Sequence, residues 1–452
     1  MKRIAFFISL TLLLIFTTCT NNKDKVFIAL QTHTGYSPFL PGRYFLSPAR
    51  DSLKYTGVPS SLKEYVVRQR HFQYRQFLWN QLKTGKITKE EFQKNLELFD
   101  IVIDTNKLCN TVIDESVLFL IGTDQDSNRV IIVDTDNDND FSDENILKFK
   151  YPLERKKQIA TYRDTLNIVT VTIDECINNK IAKKKIRLKV SPYNGGLGIH
   201  YNTDNDIEKK YHLLISYPFY KTANFKLNKT DYKIFIANRF TSLHYYPENT
   251  EIFFFQKGDS ITTEREGNIP YRIGDIFNAN GIDYLIDSIT RSGDTLILKY
   301  LGKNVHPTGV TEGFYLPKFK AITLDYKEFN IKDYPDRYIL FDFWGTWCEP
   351  CIKLIPELKQ LHEDYKDKKF IIVSVAYDRD VDKVKEFTKK ENMDWVHLFV
   401  SSNRDDKNSL VKKLKVRSFP TTILVEPNKK IIARNKSINE IRKILDERLN
   451  AL

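Results

Sequence analysis

Phe343-Trp344-Gly345-Thr346-Trp347-Cys348-Glu349-Pro350-Cys351 is the stretch that decides the fold of the C-terminal part of this chain. The apolar residues leading into it, 338–343, read as a buried strand, 344–347 as a turn, and a helix starts at the cysteines. A CxxC at a helix start has a direct chemical logic. The first thiol lies where orphan backbone N–H groups and the helix dipole favour negative charge. Its pKa falls, and the thiolate is the species that attacks disulfides. Cys348 is therefore the expected nucleophile, and Cys351, one turn deeper, the thiol that resolves the mixed disulfide. Pro350 suits a first-turn position, where its missing N–H would have no partner anyway. Zinc chemistry would need a second CxxC or a histidine pair to complete the site, and the sequence offers neither. Haem attachment would need histidine where Ile352 stands.

Working outward, strand and helix alternate: 370–376 strand, 382–391 helix, 396–400 strand, a hairpin of 421–425 and 430–434 across Pro427-Asn428, and a closing helix at 438–449. Ser418-Phe419-Pro420-Thr421-Thr422 lies just ahead of the hairpin. This segment and the CxxC segment, at this separation, resemble the active-site and cis-proline loops of the ResA/TlpA-like branch of the thioredoxin superfamily. The likeness begins at Gly313 and Pro317-Lys318-Phe319 and runs to the end of the chain.

The resemblance implies an extracytoplasmic, membrane-tethered thiol–disulfide oxidoreductase that uses no cofactor for catalysis. It implies a cis Pro420 beside the two sulfurs, backbone hydrogen bonds from Phe419 to an extended substrate, Trp347 covering the sulfurs, and a kink at Pro356. The chain departs from the reductive members in two places: Leu354 stands where they carry glutamate, and Asp342 where they commonly carry asparagine. Asp342, beneath the motif, is therefore expected to take the proton of Cys351, with burial raising its pKa toward the working range. Glu349 sets a negative charge near the thiolate, which favours a reducing couple. The function expected is reduction of disulfides in exported proteins, apocytochromes among them by the resemblance, with electrons from a membrane thiol donor. Two alternatives stand beside it: a disulfide oxidase or isomerase, and a cell-envelope binding lipoprotein with an accessory redox domain.

The other end of the chain sets the compartment. Lys2 and Arg3 precede an apolar run, 4–16, shorter than the roughly 20 residues a spanning helix needs, so 1–18 reads as a signal peptide. Cys19 after Phe16-Thr17-Thr18 resembles a bacterial lipobox with phenylalanine in place of leucine. A lipidated Cys19 would anchor the protein to the bilayer, facing the periplasm; ordinary signal cleavage is the alternative. Of the 5 cysteines, Cys109 and Cys176 remain, either as a structural disulfide suited to an oxidising compartment or as two separate thiols. The net charge of +12 is spread along 452 residues without any nucleic-acid-binding motif. It reads as a lysine-rich surface, with no nucleic acid among the partners.

The expected fold is multidomain: an N-terminal helical segment plus an antiparallel β-rich region, followed by a C-terminal α/β thioredoxin-like domain. Residues 19–110 read as the anchor and a mainly helical segment. Leu62, Tyr65, Val66, Phe72, Phe77, Leu78 and Leu82 fall near a helical period within 61–83, and Thr88 with Glu91 makes a capping box. Residues 111–305 read as strands, with hairpin turns at Asn280-Gly281 and Ser292-Gly293-Asp294. Residues 313–452 are the thioredoxin-like domain. Asp134, Asp136, Asp138, Asp140, Asp143 and Glu144 crowd one loop after a strand. Their hard oxygens suit a structural calcium ion, although Asn139 and Asn145 replace the glycine and glutamate of an EF-hand loop. An acidic hairpin tip in water is the alternative.

Overall fold

The computed structural model describes residues 20–22, 24–35, 44–49, 54–98, 101–150, 167–177, 179–193, 207, 210–238, 242–259, 269–403 and 409–449. The expected signal peptide and Cys19 lie outside the described residues. No helix among the described residues is long and apolar enough to cross a membrane. The chain separates into two compact units, one running to Leu301 and the other from Gly302 onward, with 280–283 grouping with the second.

The first unit is β-rich. One five-stranded antiparallel sheet follows the order Ser47–Pro48, Leu62–His71, Ser116–Asp124, Arg129–Val133, Ile146–Phe149. Its central strand is apolar on both faces because both are covered. Val117, Phe119 and Ile121 join Val171, Ile173, Leu188, Leu213 and Ile215 from a second sheet in one core, while Leu118 and Leu120 pack with Val67, Ile132 and Phe141 on the other side. Each such fully buried side chain contributes about 1.5–3 kcal/mol relative to exposure. At Asn280-Gly281 both residues take positive φ (49° and 79°), the geometry of a tight hairpin, and the strands Ile276–Asn278 and Ile282–Ile289 on either side are neighbours.

The mainly helical N-terminal segment is corrected. Leu62–His71 is a strand, and the helix in this stretch is only Tyr74–Lys83. The helical spacing of Leu62, Tyr65 and Val66 is real, but the β-branched Val66-Val67 pair meets a waiting partner in register, Val66 opposite Ile121. Tertiary pairing overrides the local period. The second helix, Lys89–Leu98, starts as its capping box dictates: Glu91 accepts from Thr88 N at 2.9 Å and Thr88 Oγ1 accepts from Glu91 N at 3.1 Å.

Cys109 and Cys176 are paired, with Cα atoms 5.7 Å apart across 67 residues of sequence. Two glutamines at the start of the first helix tie down both sides of this bond. Gln76 donates to Cys109 O and accepts from Cys109 N, both at 2.9 Å. Gln73 donates to Asp174 O at 2.6 Å and accepts from Cys176 N at 3.2 Å.

The second unit is α/β. Its seven-stranded sheet has the order Glu328–Phe329, Ala321–Thr323, Val396–Ser401, Phe370–Asp378, Tyr338–Trp344, Thr421–Val425, Ile431–Arg434. The Tyr338–Trp344 and Val396–Ser401 strands each run parallel to Phe370–Asp378, and the other pairings are antiparallel. Every residue of Tyr338–Trp344 is buried. Ile339, Phe341 and Phe343 face one core with Leu410 and Leu414. Tyr338 and Leu340 face another, with Leu358, Leu361 and Tyr365 of the helix Glu349–Tyr365. By this alternation Asp342 is placed on the side that carries the helix starting at the CxxC.

Candidate active site

Cys348 is the N-cap of the helix Glu349–Tyr365. Its backbone is extended, and its Sγ accepts from Cys351 N at 3.3 Å. The sulfur thus occupies the place where a serine or aspartate side chain would satisfy a first-turn N–H. Negative charge that develops on it meets the positive end of the helix. Pro350 sits in the first turn and Pro356 inside the helix. The two cysteines form a disulfide, so the structure is that of the oxidised protein.

The loop ahead of Cys348 is pinned to the end of the neighbouring strand. Asp378 is buried, and its Oδ2 accepts from Thr346 N at 2.9 Å and Thr346 Oγ1 at 2.8 Å. Trp347 Nε1 donates to Tyr377 O at 2.9 Å. Gly345 permits this approach, because a Cβ there would stand 2.5 Å from the indole nitrogen and 2.8 Å from Tyr377 O. Trp347 remains 55% exposed. Its ring meets Phe419 edge-on at 5.3 Å, and Phe419 stacks on Tyr377 at 5.5 Å. The Phe419–Pro420 peptide bond is cis. Phe419 packs against the apolar cluster that contains Cys348 and Cys351, so the two sequence segments converge.

Asp342 is fully enclosed. Burial pushes its carboxyl up to about 7, partly opposed by the hydrogen bond it accepts on Oδ2 from Ser374 Oγ at 3.0 Å. A carboxyl held there changes protonation within the working range of thiol chemistry. The Glu349 carboxylate is exposed and paired with Lys353 Nζ at 2.7 Å. Thr346, Asp378, Tyr377, Ser374 and Trp395 escaped the sequence reading. Only Asp378 carried a usable signal, as a carboxylate at the end of a parallel strand, where such folds gather their chemistry.

Of the six acidic residues expected to hold calcium, the loop gathers three: carboxylate oxygens of Asp134, Asp136 and Asp138 lie within 4.8 Å of one another. Asp134 is buried, accepts from Asp138 N and Asn139 N at 3.1 Å each, and is pushed up to about 6 chiefly by burial. Asp140 turns to Ser142 N, Glu144 to the amide and hydroxyl of Thr135, and Asp143 is exposed.

A helix N-terminus capped by one cysteine of a CxxC, on a sheet of this order and beside a cis proline, defines a thioredoxin-type redox domain. The comparison with families agrees: residues 336–431 match the thioredoxin-like family model. Thiol-disulfide oxidoreductase ResA of Bacillus thuringiensis subsp. konkukian is 28% identical over 136 residues, 30% of this chain and 75% of that protein. Thioredoxin-like protein YneN of Bacillus subtilis is 26% identical over 140 residues, 29% of this chain and 78% of its own length. Among solved structures, the thioredoxin domain of a thiol-disulfide oxidoreductase from Bacteroides vulgatus shares 26% identity, covering 31% of this chain and 99% of that one, with a TM-score of 0.29. The C-terminal part of the chain is a thioredoxin-like domain with ResA-like thiol-disulfide oxidoreductases among its relatives.

Proposed function

We propose that the protein reduces disulfides in exported proteins and is held at the bacterial membrane by a lipid on Cys19. The observation that carries the redox reading is Cys348 as helix N-cap with its sulfur on the Cys351 amide. In the reduced protein the Cys348 thiolate attacks a substrate disulfide. The Cys348–substrate S–S bond forms, the substrate S–S bond breaks, and the released thiolate takes a proton from solvent. Asp342 then accepts the proton of Cys351. The Cys351 thiolate attacks Cys348 Sγ, which expels the second substrate sulfur as a thiolate, protonated by Asp342 or solvent, and leaves the Cys348–Cys351 disulfide. Two electrons have passed to the substrate. A membrane thiol donor must return them, and no cofactor enters any step.

The direction is tested by equilibrating the soluble chain with glutathione or dithiothreitol. A potential near thioredoxin's, roughly −270 mV, supports a reductase, and one near −120 mV makes the protein an oxidase. The periplasm-facing location is supported by the buried Cys109–Cys176 bond, a device of oxidising compartments. Labelled fatty acid on the wild type, and its loss with release from membranes in Cys19→Ala, tests the anchor.

Two readings are kept beside this one, each for an observation. The first unit, with its several sheets and no CxxC, favours a role in selecting or positioning substrate. Protein-disulfide turnover by Gly313–Leu452 alone that equals the full chain in rate and selectivity would remove that role. The Asp134–Asp136–Asp138 convergence favours a structural calcium ion. Calorimetry with calcium chloride on the full chain, compared with Asp136→Asn, tests it, and absence of any heat dismisses it.

A further inference from the structure

Behind Asp342 runs a short chain of hydrogen bonds. Trp395 Nε1 lies 2.9 Å from Ser374 Oγ, and Ser374 Oγ lies 3.0 Å from Asp342 Oδ2. The polarity of this chain follows from chemistry. An indole N–H is only a donor, so the serine oxygen must accept from Trp395. Ser374 is fully buried, and its hydroxyl has no third partner among the described residues. Its single hydrogen therefore points at Asp342 Oδ2. While Asp342 is ionised, Oδ2 accepts from Ser374, and Oδ1 takes no hydrogen bond from any described residue. A proton added to Oδ1 leaves this chain of hydrogen bonds as it is, whereas one added to Oδ2 would turn the serine hydrogen away from its one acceptor among the described residues.

We propose that Ser374 and Trp395 are positioning residues that fix the Asp342 carboxyl so that Oδ1 is the oxygen that takes up and returns the proton of Cys351. The proposal rests on Asp342 being the proton acceptor and adds how that acceptor is oriented. Backbone register supports it. Asp342 and Ser374 are opposite one another on the parallel strands Tyr338–Trp344 and Phe370–Asp378, which places both side chains on one face. A buried carboxyl free to rotate would divide its proton between two oxygens. The serine hydroxyl, itself held by an indole, removes that choice and also stabilises the ionised form.

The titratable groups around this chain are few. His397, the register partner of Ser374 on the next strand, stacks on Trp395 and is pushed down to about 4 by burial, so it is neutral in the working range. His362 of the Glu349–Tyr365 helix lies against Trp395 at 5.4 Å and pairs with Asp394. Tyr365, pushed up to about 12, and Tyr338 share the neighbouring core. On the other flanking strand the partner of Asp342 is Thr422, which does not titrate. Cys351, on the helix above, is locked in its disulfide.

The test is a carboxyl titration by 13C NMR of the oxidised full chain labelled at aspartate Cγ, in which neither active-site cysteine titrates. The Asp342 resonance is identified by its loss in Asp342→Asn. Ser374→Ala is expected to move its midpoint up by about one pH unit or more, since a hydrogen bond to the charged form is gone. Trp395→Phe is expected to move it less, in the same direction, and Ser374→Thr to restore it. His362→Gln is expected to leave it in place, and a shift there equal to that of Trp395→Phe would assign the effect to the histidine instead. The midpoint for resolution of the mixed disulfide is expected to follow the NMR value. Unmoved midpoints in both Ser374→Ala and Trp395→Phe would overturn the positioning role while leaving Asp342 as acceptor. Resolution in Asp342→Asn with wild-type rate and pH profile would instead overturn Asp342, whatever Ser374 does.

Discussion

The molecule contains two disulfides whose cysteines are alike in overall burial and opposite in setting. Cys109 and Cys176 are 2% and 1% exposed, and Cys348 and Cys351 are 4% and 2% exposed. Burial of the cysteine residues as a whole therefore does not distinguish them. What differs is the backbone around each pair. The first bond joins segments 67 residues apart, each fastened by a glutamine that satisfies both a backbone donor and a backbone acceptor. The second joins residues separated by 3 in sequence, at a helix start, with the buried carboxyl of Asp342 on the side of the sheet that carries this helix. A long closed loop stabilises a fold, and one turn of helix closes almost nothing. A helix N-terminus stabilises a thiolate, and neither Cys109 nor Cys176 lies in an α-helix.

The largest effect that would test this contrast is on turnover. Cys348→Ser is expected to lower insulin-disulfide reduction by at least about a thousandfold, because no other group on the path is a competent nucleophile. Cys351→Ser is expected to accumulate the mixed disulfide on non-reducing gels. Both are expected to leave stability nearly unchanged. Comparable loss of turnover in Cys109→Ser would break the division of labour.

Next comes stability. Removing the Cys109–Cys176 bond with a double serine substitution is expected to cost the first unit about 4 kcal/mol, the loop-closure value for a loop of this length. Urea unfolding followed in the full chain measures it. Turnover of small disulfides is expected to persist at denaturant concentrations where the second unit remains folded.

Asp342 couples the two properties. Its folded pKa is raised from 3.8 to about 7, so between these values the folded protein binds a proton that the unfolded chain has released. Stability is therefore fullest below the unfolded value and falls as pH rises through about 7. Asp342→Asn is expected to remove this slope and to be the more stable protein at pH 8, by an amount on the order of a few kcal/mol. It is also expected to slow resolution by about 10²-fold, the lower range for loss of a general base. An activity loss without the stability gain would show that the carboxyl is not held neutral by burial.

The two regions were also unequally legible in the sequence. In the second unit the apolar run at 338–343, the helix-start cysteines and the Phe419-Pro420 segment each dictate local structure, and the local structures meet. In the first unit the same kind of evidence misled at 61–83. A helical period there is compatible with a strand once Ser116–Asp124 lies alongside, and no single stretch contains that information. The pairing of Cys109 with Cys176 likewise depends on contacts across the fold. At the site, the chemically reactive groups could be read, whereas Ser374 and Trp395 could not, and Asp378 showed only as a carboxylate at a strand end. Serine, tryptophan and aspartate in those places are ordinary in sequence, and only strand register turns them toward Asp342 and Thr346.

The smallest expected effect concerns what covers each bond. The Cys109–Cys176 pair is closed in by Ile113, whereas the catalytic end of the second unit carries the half-exposed Trp347, anchored on Tyr377 O and edge-on to Phe419. Truncating Trp347 to alanine removes only the buried half of the side chain, and water can take over the Tyr377 carbonyl, so the stability loss is expected to stay within about 2 kcal/mol. If the indole is a contact for the polypeptide around the substrate disulfide, KM for a protein substrate rises by up to about tenfold, equivalent to 1.4 kcal/mol, while kcat and the rate with a small aromatic disulfide stay the same. Gly345→Ala offers an independent route to the same state. Its Cβ would collide with the indole nitrogen and with Tyr377 O, displacing the ring without removing it. Matching KM increases in the two variants would assign the effect to the position of the indole. Equal losses on the small and the protein substrate would assign Trp347 to the geometry of Cys348, and the contrast between a sealed bond and one presented to substrate would then rest on the helix N-terminus alone.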